Sequence, residues 1–227
     1  MNPISGSSYR VLLLPGASGD PSFWHGVGQL LPDKWEKHYL AWPGLGRQTP
    51  DKRVASFDDL VTLAAVDMTS PSVIVAQSMG GIVAIELALR FPDRVTHLVL
   101  AATSGGLDIA RFGATDWRTD FLRSFPRTAR WILEENPNLD TRLPEIKPPT
   151  LLLWGDADLI SPPTVGCYLA TQIPGAQLEI LSDSDHGFGK AMPDVVADRV
   201  LRFVIDGATK HLHSRIERQK RDSFRLE

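Results

Sequence analysis

Short runs of Val, Leu and Ile recur along the chain, and each is bounded by Gly, Pro, Asp or Ser. Runs of this length that stay apolar without alternation are typical of strands covered on both faces, as in a parallel sheet. Six such strands are predicted, and in chain order they are Arg10–Leu14, His38–Ala41, Ser72–Ala76, Thr96–Ala101, Thr150–Trp154 and Gln177–Leu181.

Segments with apolar residues at helical spacing lie between these runs. Five helices are predicted there, namely Trp24–Leu31, Phe57–Asp67, Gly80–Phe91, Pro163–Gln172 and Pro193–Val204. Regular alternation of strand and helix indicates an α/β fold, in which helices cover both faces of a mostly parallel, doubly wound sheet of about six strands.

One segment interrupts this alternation, because Thr103–Lys147 is long, mixed in character and rich in aromatic residues. An insertion of this length between neighbouring strands is typical of a lid or a binding surface, although a helical hairpin packed on the sheet fits the same pattern. We interpret it as a small helical lid, with Trp117 and Phe121 facing the substrate. The predicted division is a core of residues 1–102 and 148–209, the lid over 103–147 and a charged extension over 210–227.

Net charge and composition narrow the classes of partner. The 227-residue chain has 43% hydrophobic residues, which fits one domain, and a formal net charge of −3 with a pI near 6.1. Because the chain has no excess of basic residues to attract anionic partners, nucleic acid and anionic membranes are not expected as partners. The six arginines of the lid are nearly balanced by neighbouring acids, so no anionic substrate is predicted. The oligomeric state stays open.

The single cysteine, Cys167, excludes an internal disulfide and a metal site built from several cysteines. A reducing compartment fits this cysteine usage. No basic segment precedes an apolar run near the N-terminus, so no signal peptide is expected, and no apolar run approaches the roughly 20 residues that span a membrane. We therefore expect a cytoplasmic protein that uses no metal ion and no organic cofactor.

The run Ser72–Gly81, with the sequence SVIVAQSMGG, joins a predicted strand to a predicted helix through Ser78. A serine at a sharp strand-to-helix turn presents its hydroxyl at the top of the sheet, and small neighbours allow the turn to be tight. The helix N-terminus adds free N–H groups that stabilise a developing negative charge. An ordinary serine capping a helix is the alternative interpretation.

The sequence AQSMG over residues 76–80 is close to the pattern G-x-S-x-G, with Ala in place of the first Gly. Three later stretches continue the similarity, and they are Ala88–Val95, Leu151–Asp158 and Asp185–Gly187. On these motifs, which extend over nearly the whole chain, the sequence resembles the α/β-hydrolase superfamily, and in particular its compact, lid-bearing, esterase-like members. The resemblance implies the α/β-hydrolase fold and a hydrolase activity.

The resemblance also implies a catalytic triad, with Ser78 as nucleophile, His186 as its base and Asp158 as the acid that orients the histidine. All three follow predicted parallel strands, whose carboxyl ends lie along one rim of an open sheet. A serine hydroxyl needs an adjacent base, and an imidazole can take its proton and return it. The order Ser–Asp–His along the chain is that of α/β hydrolases. Asp156 is the alternative acid, two residues before Asp158.

The oxyanion hole is predicted to use two backbone N–H groups, those of Met79 and Ala17. Ala17 lies in the glycine-containing loop after the first strand, where the family commonly has a His-Gly pair and this chain has Pro15-Gly16. A phosphate-binding loop is the alternative, but neither G-x-G-x-x-G nor a G-K-[ST] ending is present. Only nine residues precede Arg10, too few for the antiparallel hairpin of the family's larger members, so a reduced sheet is expected.

The predicted function is hydrolysis of a small apolar ester, thioester, lactone or amide through an acyl-enzyme. One alternative is a cofactor-free lyase or carbon–carbon hydrolase that uses the same three residues. Another is a small-molecule sensor that keeps the pocket without relying on turnover. The fold alone does not decide among these functions.

Overall fold

One open parallel sheet forms the centre of the molecule, and a computed structural model describes it for residues 8–135 and 137–206. Over these residues its six strands are β1 (Arg10–Leu14), β2 (Glu36–Tyr39), β3 (Ser72–Gln77), β4 (Val95–Ala101), β5 (Thr150–Gly155) and β6 (Gln177–Leu181). Neighbouring strands are hydrogen-bonded in the order β2-β1-β3-β4-β5-β6, and every pair is parallel. The predicted α/β class and six-stranded sheet are confirmed.

The helices alternate with the strands along the chain. In chain order they are α1 (His25–Leu30), α2 (Phe57–Asp67), α3 (Met79–Arg90), α4 (Arg118–Ser124), α5 (Trp131–Glu134), α6 (Pro163–Gln172), α7 (Phe188–Ala191) and α8 (193–206). Short 3-10 turns lie at Pro21–Trp24, Pro92–Arg94, Ile109–Phe112 and Asp140–Glu145. Within the described residues, none of these helices combines the length and the apolar character needed to cross a membrane.

Helices cover both faces of the sheet, because successive residues of each strand point to opposite sides. On one face, Leu12 and Ile74 lie in a buried cluster with apolar residues of α2, α3 and α6. On the other face, Val11 and Val73 lie in a second cluster with residues of α1 and α8. The central strands are therefore apolar throughout, which is the pattern that predicted them.

The edge strand β2 begins and ends two residues before the predicted His38–Ala41. Its position follows from pairing with β1, where Arg10 lies opposite Glu36. The guanidinium of Arg10 and the carboxylate of Glu36 are 2.8 Å apart, so a polar pair begins this strand. The apolar residues that guided the prediction lie partly beyond the strand, because an edge strand is not buried on all sides.

Helix α1 is also shorter than the predicted Trp24–Leu31, since it begins at His25. The chain before it, Pro21–Trp24, forms a 3-10 turn that starts with a proline. The carboxylate of Asp20 accepts a hydrogen bond of 2.9 Å from the N–H of Ser22 and caps this turn. The first helical turn is therefore tightened, which moves the start of the α-helix by one residue.

The order of the strands reverses beside β1, and this places several loops at one rim. The chain leaves β1 toward β2 on one side, and returns through α2 to β3 on the other side. Loops that leave β1 and β3 at their carboxyl ends therefore diverge and open a crevice between them. Residues 15–20 follow β1 and Ser78 follows β3, so both lie at this crevice.

The segment Thr103–Lys147 carries α4, α5 and two of the 3-10 turns, and it is fixed to the core at several points. The N–H of Gly46 donates to the hydroxyl of Thr128 at 3.1 Å, and the N–H of Ala129 donates to the carbonyl of Gly44 at 2.8 Å. These bonds hold the segment over the loop that follows β2. The predicted charged extension, 210–227, lies outside the described residues.

Candidate active site

Ser78 lies in a sharp turn between β3 and α3, with φ 52° and ψ −124°. Few residues other than glycine adopt a positive φ, so this backbone is strained. The turn is tight on its helical side, because a Cβ on Gly80 would lie 2.3 Å from the carbonyl oxygen of Pro15. A Cβ on Gly81 would lie 2.4 Å from the hydroxyl of Thr103. Glycine at both positions therefore lets the turn at Ser78 approach its neighbours.

Three side chains from separate loops form a continuous line at the carboxyl rim. The Oγ of Ser78 lies 3.0 Å from Nε2 of His186, and Nδ1 of His186 lies 2.8 Å from Oδ2 of Asp158. An ionised carboxylate only accepts hydrogen bonds, so Nδ1 carries a proton and Nε2 is free to accept one from the serine hydroxyl. The structure thus brings together the three residues that the sequence singled out.

Asp158 is held by more than the histidine. Its side chain is fully buried, and its Oδ1 accepts hydrogen bonds from the N–H groups of Ile160 at 2.9 Å and Ser161 at 2.8 Å. The alternative acid, Asp156, is exposed and instead accepts a 3.2 Å bond from the N–H of Ser184. The geometry therefore favours Asp158 as the partner of His186 and leaves Asp156 as a turn residue.

Two tryptophans support the loop in which Ala17 lies. The indole N–H of Trp24 donates to the carbonyl of Leu14, and that of Trp42 donates to the carbonyl of Pro15, both at 2.8 Å. Both indoles are fully buried, so these bonds are protected from water. Sequence reasoning missed them, and they support a loop that lacks the His-Gly pair common in the family.

Ala17 and Met79, whose backbone N–H groups were predicted to form the oxyanion hole, lie beside Ser78. Both residues line the same cavity as Ser78. Within the part of the chain that the structure describes, no protein acceptor is bonded to either N–H group. Because Met79 is the first residue of α3, its N–H also lies at the positive end of the helix dipole.

A cavity of about 710 Å³ opens above Ser78 and His186. Both predicted substrate-binding residues, Trp117 and Phe121, line it, and their rings pack edge to face at 5.1 Å between centroids. Further apolar walls come from Phe23, Phe57, Ile82, Leu107, Ile109, Phe125, Ile132 and Ile160. The 103–147 segment supplies much of this lining, which is the arrangement expected of a lid over a small apolar site.

Acidic side chains predominate among the charged residues at this cavity. Its lining includes four carboxylates, from Asp108, Asp116, Asp120 and Glu135, and the guanidinium of Arg118. Arg118 is paired with Asp116 at 3.1 Å and also donates to the carbonyl of Leu133 at 3.2 Å. Hydrogen bonds from the Arg118 backbone and guanidinium lower the pKa of Asp116 from its ordinary value. The charge of Arg118 is therefore balanced by a neighbouring carboxylate.

The described residues, 8–135 and 137–206, contain no cluster of three or more His, Cys, Asp or Glu side chains that could hold a metal ion.

An open parallel sheet with helices on both faces and a sharp turn from β3 into α3 is the architecture of an α/β hydrolase. The chain belongs to the alpha/beta hydrolase family, whose model matches residues 11–199, and it is a hydrolase. The resemblance identified from the sequence motifs is confirmed.

Among characterised relatives is a 2-hydroxy-6-oxononadienedioate/2-hydroxy-6-oxononatrienedioate hydrolase of Escherichia coli strain K12. It is 25% identical to this chain, over 84% of this chain and 83% of its own length. An esterase from Thermogutta terrifontis has a similar fold, with a TM-score of 0.70, 23% identity and coverage of 89% of this chain and 91% of its own. The enol-lactonase of Burkholderia xenovorans superimposes with a TM-score of 0.69 and 20% identity, and the match covers 88% of this chain and 92% of its own. These two structures show a shared fold.

Proposed function

We propose that this protein is a serine hydrolase that cleaves a small, uncharged, mainly apolar ester, thioester, lactone or amide. The observation that carries the proposal is the line of hydrogen bonds from Ser78 through His186 to Asp158, at 3.0 and 2.8 Å. This line ends in a cavity with apolar walls, so a hydroxyl with a base beside it faces the space that a substrate would fill.

In the proposed reaction, Oγ of Ser78 bonds to the carbonyl carbon while its proton passes to Nε2 of His186. The carbonyl oxygen becomes an oxyanion and accepts hydrogen bonds from the N–H groups of Ala17 and Met79. The leaving group departs with the proton from His186, and the acyl group stays on Ser78. Water then attacks the acyl carbon, giving a proton to His186, and the acid product leaves as Ser78 is protonated again. Asp158 keeps the imidazole in the required tautomer throughout.

Carbon–carbon bond hydrolysis is the second candidate, because the E. coli relative is similar over 84% of this chain. That relative's substrates are named as dioates, and therefore carry two carboxylates. Four carboxylates line the cavity of the present protein, and its lining arginine is already paired with one of them. This charge distribution disfavours a dicarboxylate, so we prefer an uncharged ester or related acyl compound.

The test combines p-nitrophenyl esters of increasing chain length with a fluorophosphonate probe. We expect turnover of short esters and a probe adduct on Ser78, located by peptide mass spectrometry. The matched variant Ser78→Ala should fold, bind no probe and lose about 10⁴-fold or more in kcat. An adduct on Ser18 or Ser104, which line the same cavity, would assign a different nucleophile. Labelling of Ser78 without appreciable ester turnover would favour the carbon–carbon hydrolase or a sensor.

A further inference from the structure

The side chain of Gln77 lies between the turn at Ser78 and two other loops of the site. Gln77 is the last residue of β3, directly before Ser78, and its exposure is only 5%. Its Nε2 donates a hydrogen bond of 3.3 Å to the backbone carbonyl of His186. A buried carboxamide at the end of a central strand therefore holds the loop that carries the catalytic base.

The same carboxamide also contacts the loop after β1. A Cβ on Gly16 would lie 2.3 Å from Oε1 and 3.4 Å from Cδ of Gln77. A side chain at Gly16 would therefore displace the carboxamide of Gln77, which occupies the space beside it. Gly16 is bonded in sequence to Ala17, whose N–H we place in the oxyanion hole, so Gln77 also limits the position of that donor.

We propose that Gln77 is a positioning residue that fixes the histidine loop and the oxyanion loop relative to Ser78. The inference rests on the proposed function above. Ser78, Ala17 and His186 come from three separate parts of the chain, and productive geometry needs them aligned to within about 0.5 Å. Gln77 is well placed for this alignment because β3 is buried between β1 and β4. It acts through the backbone of its neighbours and exchanges no proton with the substrate.

The first test replaces Gln77 by methionine, which has a similar length but no N–H donor. We expect kcat for p-nitrophenyl acetate to fall by about 10- to 100-fold, because the base loses its backbone support. KM should change by less than about 2-fold, because Gln77 is only one of the residues that line the cavity and its apolar walls stay in place. The rate of fluorophosphonate labelling should fall by the same factor as kcat, since both reactions use Ser78 and His186.

The matched control is Ser72→Ala. Ser72 is buried at the opposite end of β3, and its hydroxyl donates a 2.7 Å hydrogen bond to the carbonyl of Ser70. This variant also removes a buried side-chain-to-backbone hydrogen bond from the same strand. We expect it to lower the Tm while leaving kcat and the labelling rate unchanged, which separates a loss of stability from a loss of alignment.

The second test is a double-mutant cycle with Gly16→Ala. In the native background, the added methyl group displaces the Gln77 carboxamide, so we expect kcat to fall by about 10-fold or more. In a Gln77→Ala background the space is free, and adding Gly16→Ala should change kcat by less than about 3-fold. The remaining neighbour is Cβ of Ser78 at 3.1 Å, which leaves a tight but smaller contact.

The proposal is overturned if Gln77→Met keeps the native kcat, or if Ser72→Ala, at a comparable fall in Tm, loses as much kcat as Gln77→Met does. It is also overturned if the two substitutions of the cycle act independently. If Gln77→Met does not fold, the single variant Gly16→Ala still tests the proposal, and an unchanged kcat in that variant overturns it. Failure of the proposed function has a different signature, because native protein would then not be labelled at Ser78.

Discussion

At the scale of single residues, two neighbouring carboxylates have opposite surroundings. Asp158 is buried against His186 and two backbone N–H groups, whereas Asp156 is exposed and caps a turn. We expect Asp158→Asn to lower kcat by roughly 10⁴-fold, because an amide cannot hold the histidine in the required tautomer. Asp156→Asn removes the same charge two residues away, and it should lower kcat by less than about 10-fold. Steady-state kinetics with a p-nitrophenyl ester measures both, and reversed losses would make Asp156 the acid.

A second residue-scale prediction concerns the indole of Trp42. Trp42→Phe keeps the ring in the core but leaves the carbonyl of Pro15 without its 2.8 Å hydrogen bond. We expect a loss of about 1–3 kcal/mol in the free energy of unfolding, since a buried acceptor is left unpaired. We also expect kcat to fall more than KM changes, because Ala17 lies two residues further along the loop. Urea unfolding and ester kinetics measure the two effects, and an unchanged kcat would show that the loop keeps its shape without this bond.

The three residues of the proposed triad, which the structure brings together, could be identified from sequence because each belongs to a short local motif. Ser78 has a small residue two positions away on each side, Asp158 follows a strand and a glycine, and His186 lies just before a glycine. The groups that support them have no such motif. Trp42 reaches a carbonyl 27 positions away, and Gln77 reaches one 109 positions away. Such pairs are set by the packing of the whole sheet, which a local pattern does not contain.

At the scale of elements, the 103–147 segment is expected to set substrate preference without taking part in the chemistry. Trp117 and Phe121 lie in its central part and line the cavity. Replacing either by alanine should change the relative kcat/KM of short and long p-nitrophenyl esters, with each lost apolar contact worth roughly 1–3 kcal/mol. The rate of labelling by a small fluorophosphonate should stay near the native value. Equal losses for all esters and for the probe would show a role in the reaction itself.

Buried and exposed elements differed in how well the sequence predicted them. The strands β3 and β5 are buried at every position, and their predicted bounds agree with the structure to within one residue. The edge strand β2 has partly exposed residues throughout, and its predicted position was wrong by two residues. Helix α1 was placed one residue early because a 3-10 turn precedes it. Packing on two faces leaves a strong apolar pattern in the central strands. Of the two edge strands, β6 was predicted with its observed bounds, Gln177–Leu181, and β2 was not.

At the scale of the whole molecule, the acidic lining of the cavity adds to a chain with a net charge of −3. We therefore expect p-nitrophenyl butyrate to be preferred over the mono-p-nitrophenyl ester of succinate, which has a carboxylate at its far end, by about 10-fold or more in kcat/KM at low salt. The preference should weaken at high ionic strength, because salt screens exposed charges. It should persist at mildly acidic pH, since the pKa of Asp116 is lowered and its carboxylate stays ionised.

The variant Asp108→Asn tests the origin of that preference. An Asn at this position still accepts the hydrogen bond from the N–H of Ala110, so the turn is kept while one cavity charge is lost. The preference for the uncharged ester should shrink. The control Asp93→Asn makes the same change of net charge in the Pro92–Arg94 turn, before β4 and therefore at the opposite rim. Equal effects of both variants would assign the preference to overall charge, and no effect of Asp108→Asn would contradict a local cause.

The strained backbone of Ser78, with its φ of 52°, has a consequence for engineering this enzyme. Glycine adopts this conformation readily. The free energy of unfolding of Ser78→Gly should therefore be about 1 kcal/mol higher than that of Ser78→Ala, although both variants lack the hydroxyl. Calorimetry of the two inactive variants measures the difference, and equal stabilities would show that the turn is relaxed. A library selected for heat resistance alone would then be enriched in chains that have exchanged Ser78 for glycine. Directed evolution of this scaffold therefore has to select for turnover and heat resistance together.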